Sequence, residues 1–72
     1  MTLTINGEPR NFESLSTLAE LIDALGLKGD RVAVELNRAI VSREDWPSTA
    51  VKDGDKLEIV HFVGGGIALS KS

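Results

Sequence analysis

The chain has 72 residues, no cysteine, one histidine, and eight basic against eleven acidic side chains, for a formal net charge of −3. That is one small domain near the lower limit for a core that folds unaided, with no disulfide framework and no thiol chemistry of its own. It has too few nitrogen and sulfur ligands for a zinc site, and none of the clustered Lys and Arg that nucleic acid demands.

Read in order, Thr2-Leu3-Thr4-Ile5 alternates polar and apolar, predicting a strand with Leu3 and Ile5 inward. Asn6-Gly7 most readily takes the positive φ values of a two-residue hairpin turn. Pro9 cannot donate to a ladder, so it marks the turn exit or an edge position. Arg10–Glu13 then returns as a second short strand with Phe12 inward. Leu18, Leu21, Ile22 and Leu25 fall at helical spacing and form one apolar stripe. Thr17 and Glu20 fit a capping box, with Ser16 as the alternative cap, and Gly26 suits the left-handed position beyond the helix end.

Val32–Leu36 alternates again, with Val32, Val34 and Leu36 inward, and Asn37-Arg38 turns the chain into a strand at Ala39–Val41. Arg43–Trp46 reads as a single helical turn before Pro47, because proline disfavours helix in the residue before it. Val51 is a further core anchor. Asp53-Gly54-Asp55 is a turn by composition. Lys56–Val63 gives the last and longest strand signal. Hairpin, helix, two strands, helical turn and final strand together predict an α+β domain of β-grasp (ubiquitin-like) architecture. It has a mixed sheet of about four to five strands, one main helix packed on one face, and the last strand in the middle beside the first. Three segments follow: residues 1–63 as the domain, 64–66 as a flexible glycine tail, and 67–72 as a C-terminal extension, disordered or removed.

The tail invites a phosphate-loop reading, since Gly65–Ser72 nearly spells G-x-x-x-x-G-K-[ST]. It fails because Ser70 stands where the second glycine must be, and no helix follows to hold phosphates. The acidic neighbours Glu44-Asp45 and Asp53/Asp55 suit turns better than catalysis, and Asp53–Asp55 is too short for a calcium loop. His61 has no serine, cysteine or acid at a recognisable catalytic spacing. Neither a catalytic residue nor a metal or cofactor site is therefore assigned. In the last strand Leu57 and Ile59 point to the core, so Glu58, Val60 and Phe62 point the other way. There Val60 and Phe62 either form a partner-docking spot or lie under a second apolar layer. The glycines, lacking Cβ, make a thin strip that can enter a narrow channel and approach a ligand closely.

The stretches VAVELNRAIVSREDW, VKDGDKLEIVHFV and the closing GGG resemble the ThiS family of sulfur carriers, over the chain from the first strand to Gly66. The block Asn37, Val41, Arg43, Trp46, combined with the glycines in so short a domain, carries most of that resemblance. It implies a carrier, not an enzyme, in thiamine (thiazole) biosynthesis. In such carriers a ThiF-type adenylyltransferase, using ATP and magnesium, activates the terminal glycine carboxylate. A sulfur donor protein converts it to a thiocarboxylate, and a ThiG-type thiazole synthase takes the sulfur. By position Gly66 is the acylated residue, with Gly64 and Gly65 as the stem threading into partner sites. The departure is Ile67–Ser72. Either a processing protease removes these six residues after Gly66, which is the reading preferred here, or they are an addition to the native chain, or the chain is not a competent carrier. Rival readings are a MoaD-like or tRNA-thiolation carrier, a ubiquitin-like protein modifier, and a plain interaction module. No apolar run nears the roughly 20 residues of a membrane span, and MTLTINGEPR does not read as a signal peptide. A cytoplasmic protein that binds neither membrane nor nucleic acid is expected.

Overall fold

A computed structural model describes residues 1–62 and, as backbone, 68–71. Strands β1 (Thr2–Ile5) and β2 (Glu8–Asn11) form the opening hairpin. Helix α1 (Leu18–Ala24) follows, then β3 (Val32–Leu36), β4 (Ala39–Val41), a 3-10 helix (Arg43–Ser48), β5 (Lys56–Phe62) and β6 (Ala68–Lys71). The sheet order is β2-β1-β5-β3-β4, with β6 pairing to β5 beside that path. β1 and β5 run parallel, while the other neighbours are antiparallel. The last long strand thus lies at the centre beside the first, as the element order predicts.

The turns are set by local chemistry. Asn6 and Gly7 have φ of 51° and 84°, and Asn37 and Arg38 have 51° and 74°. Both pairs therefore take the doubly left-handed turn whose twist matches a hairpin. The helix begins in a complete capping box: Glu20 N–H donates to Thr17 Oγ1 at 3.2 Å, and Glu20 Oε1 accepts from the Thr17 and Ser16 N–H groups. It ends with Gly26 at φ 72°, whose N–H donates to the Asp23 carbonyl at 2.9 Å while Leu27 N–H reaches Ile22 at 3.2 Å. That is the Schellman arrangement, and it satisfies carbonyls that the helix end leaves over.

One face of the sheet carries the core. Leu3 and Ile5 from β1, Val32 and Val34 from β3, and Leu57 and Ile59 from β5 meet Leu18, Leu21 and Ile22 of α1. Trp46 and Val51 close the side of the layer. Their segment is tied to the helix start by the Leu18 N–H to the Thr49 carbonyl at 2.8 Å and the Val51 N–H to the Ser16 carbonyl at 3.0 Å. Trp46 is 4% exposed and its indole N–H donates to the Val41 carbonyl at 3.0 Å, so its polar atom is satisfied inside the core.

Three expectations need adjustment. The second strand is Glu8–Asn11 rather than Arg10–Glu13, because a two-residue turn starts the pairing at once with Ile5 opposite Glu8. Phe12 lies just past it, half-buried, with its N–H on the Met1 carbonyl at 2.9 Å. The turn at Arg43 continues through Pro47 to Ser48; so short a 3-10 segment loses only one donor to the proline. The extension expected to be disordered forms β6 over Ala68–Lys71, because β1 leaves the far half of one β5 edge for it to pair with. Among the described residues no helix is long and apolar enough to cross a membrane.

Candidate functional site

The site is built on β5, the strand that leads directly to the glycines. Leu57 and Ile59 are buried against α1, and alternation turns Glu58, Val60 and Phe62 to the opposite, helix-free face. Val60 is half-buried and Phe62 is 39% exposed. Gly64, Gly65 and Gly66 lie outside the described residues.

Register brings further residues to this face. Glu35 of β3 stands opposite both Ile40 of β4 and Glu58 of β5, and Ala33 stands opposite Val60. Ala33, Glu35, Ile40, Glu58 and Val60 line a shallow depression of about 90 Å³. Ile40 is 78% exposed, the most exposed large apolar side chain described. Sequence reading missed it: a three-residue strand has too little alternation to say which residue faces out. The apolar positions Ala33, Ile40, Val60 and Phe62, with the two glutamates among them, form a mixed surface suited to a protein partner.

A second missed residue is Asn6, whose role beyond the turn no local pattern reveals. Its backbone N–H donates to the Leu57 carbonyl at 2.9 Å. Its side-chain oxygen accepts from the Ile59 N–H at 2.8 Å, and its amide nitrogen donates to the Ile59 carbonyl at 3.1 Å. One side chain thus continues the β1–β5 ladder a step past the end of β1. Asn37 does related work at the start of β5: its Oδ1 accepts from Lys56 N–H at 2.9 Å, and its Nδ2 donates to Asp55 at 3.0 Å. Asp53 and Asp55 in turn accept the Thr2 and Lys52 N–H groups at 2.6 and 2.7 Å, which is turn work rather than paired-carboxylate chemistry.

These clamps give a testable expectation. Asn6→Gly keeps the left-handed backbone but deletes both side-chain bonds to Ile59, and is expected to cost about 1–3 kcal/mol in urea unfolding. A loss below about 0.5 kcal/mol, the range of an ordinary surface change, would mean the clamp is dispensable.

Comparison with known proteins places this architecture. Residues 3–66 match the model of the ThiS family, and the match stops at Gly66. The chain is 52% identical over 66 residues to a thiazole synthase of Paramagnetospirillum magneticum, covering 92% of this chain and 20% of that protein. It is 35% identical to the sulfur carrier protein ThiS of Bacillus subtilis, covering 89% of this chain and 98% of that one. The crystal structure of the thiamine biosynthesis protein ThiS from Geobacter metallireducens superposes with a TM-score of 0.78 at 40% identity, covering 92% of this chain and 100% of that chain. The chain therefore spans about a fifth of the thiazole synthase and nearly all of the small carriers. The matched span and the shared fold together establish that the chain belongs to the ThiS family.

Proposed function

We propose that this protein carries sulfur for thiazole formation in thiamine biosynthesis, with the carboxylate of Gly66 as the carrying group. The observation that carries this reading is the coincidence of the family match ending at Gly66 with a central strand leading to that residue. The names of the relatives, sulfur carriers and a thiazole synthase, favour the thiazole branch over molybdopterin synthesis, tRNA thiolation or protein modification.

In this reading the partners supply the catalytic groups. A free carboxylate resists substitution because oxide is a poor leaving group. Attack of the Gly66 carboxylate on the α-phosphorus of ATP expels pyrophosphate and gives an acyl adenylate. A donor protein's persulfide then displaces AMP to give an acyl disulfide. Attack of a second thiol on the donor's sulfur breaks the S–S bond, releasing the thiocarboxylate and leaving the donor side as a disulfide. The ThiF-type adenylyltransferase supplies the ATP and magnesium site, and the ThiG-type thiazole synthase consumes the sulfur. The chain is carrier and co-substrate, with Gly64 and Gly65 as a stem narrow enough to enter either active site.

Ile67 follows Gly66, so hydrolysis of that peptide bond by a protease must first expose the carboxylate. Intact mass after incubation with an extract of the native cell tests this step. A species ending at Gly66 is expected, and persistence of the longer chain alone contradicts it.

The open face of β5 is the proposed docking surface. Phe62→Asp and Ile40→Asp are each expected to weaken binding to the adenylyltransferase about tenfold or more, roughly 1.4 kcal/mol, with the melting temperature nearly unchanged. Titration calorimetry on the chain ending at Gly66 reads the affinity. Unchanged affinity for both variants, or unfolding by Phe62→Asp with no effect of Ile40→Asp, removes this face from the interface.

A further inference from the structure

We propose that β6 is an intramolecular latch: it occupies the half of the β5 edge that β1 leaves, and it keeps the domain closed to its partners until the segment beyond Gly66 is cut away. The partner half of this proposal rests on the carrier reading above.

Each strand has two edges, and the pairing of β5 accounts for both. β3 takes one edge, from Leu57 to His61. On the other edge β1 reaches only Lys56 and Leu57, and the Asn6 side chain extends the ladder to Ile59. Among the described residues, the register of β1 with β5 stops at Leu57. Past Ile59 β6 pairs instead, with Val60 opposite Lys71, His61 opposite Ser70, and Phe62 opposite Ala68. The sheet thus protects a central strand whose far half would otherwise be an edge, and open edges invite pairing with other chains.

This placement has two consequences for the glycines. Phe62 and Ala68, which flank the segment containing them, are register partners. While that pairing holds, the run from Phe62 to Ala68 cannot be drawn into a channel as one extended strand. The backbone beside Val60 and Phe62, at the margin of the proposed docking face, is also already taken.

The latch is built to be lost on cutting. β6 has four residues and its pairing shifts register between His61 and Phe62, so it is short and irregular. Such a strand is marginal alone and depends on the millimolar-range effective concentration that the covalent link supplies. Cleavage after Gly66 removes that link, so the peptide departs. One hydrolysis both creates the carboxylate and vacates the edge.

Three chains test this: the intact one, the chain ending at Gly66, and an intact-length variant carrying Ala68→Gly, Leu69→Ser, Ser70→Gly and Lys71→Ser. Amide hydrogen exchange by NMR is expected to quicken about tenfold or more at those Val60–Phe62 amides that face β6, in the second and third chains, with Leu57 and Ile59 unchanged. The quadruple variant, still uncut, should also bind the adenylyltransferase about tenfold more tightly than the intact chain. Equal exchange in all three chains overturns the latch. Faster exchange with no gain in binding overturns its masking role. If the chain ending at Gly66 does not engage the enzyme at all, the carrier reading and the masking role fail together, while the exchange result still decides whether β6 is paired.

Discussion

Trp46→Ala is expected to cost about 3–5 kcal/mol, the range for removing a large buried aromatic side chain. Trp46 is 4% exposed and belongs to the same cluster as Leu18, Ile22 and Val51. It also packs so closely against Gly29 that a Cβ placed there would lie 3.1 Å from its ring. Truncation therefore leaves a void beside a backbone already pressed to the indole, and Val41 loses the donor to its carbonyl. A domain of 72 residues has only a few kcal/mol in hand, so the variant should lose most of its cooperative urea transition. Trp46→Phe keeps most of the volume but not the N–H, and should fall between the two. A Trp46→Ala protein that melts cooperatively within a few degrees of the parent would show that this corner is not part of the core.

Deleting Gly65 and Gly66 from the chain that ends at Gly66 should abolish sulfur transfer and leave the fold intact. The two deletions lie beyond β5, and the cluster that holds the domain together ends at Ile59. Melting temperature and far-ultraviolet circular dichroism should match the parent, while the adenylyl adduct and thiocarboxylate disappear from the mass spectrum. The contrast with Trp46→Ala separates the two halves of the molecule: one substitution removes the handle, the other removes the reactive end. A plain interaction module predicts the opposite, since its function would survive loss of the glycines.

Much of this was legible in the sequence where the physics is local. Thr17 and Glu20 marked the helix start because their side chains satisfy each other's neighbouring donors. Gly26, Asn6-Gly7 and Asn37-Arg38 marked turns because few residues tolerate positive φ. The alternation of β5 placed Leu57 and Ile59 in the core, where they are buried, with Glu58 and Val60 lining the same depression on the other side. What escaped depends on pairing across the chain. Asn6 meets Ile59 across most of the sequence, and nothing near Asn6 signals that contact. Ile40 sits in a strand too short to show which residue faces out, and only its register with Glu35 places it. Phe12 does pack against the core as expected, but from just past a strand that the tight turn starts at Glu8. β6 is the clearest case, because its pairing follows from where β1 stops rather than from its own composition.

The most direct test of the central claim is intact-protein mass spectrometry of the chain ending at Gly66, incubated with ATP, magnesium, a ThiF-type adenylyltransferase and a sulfur donor. The carrier reading expects an adenylyl adduct first, then a product heavier than the starting chain by the difference between one sulfur and one oxygen, localised to Gly66 by fragmentation. An unmodified chain, in a reaction where the same enzyme converts its own carrier, would contradict it.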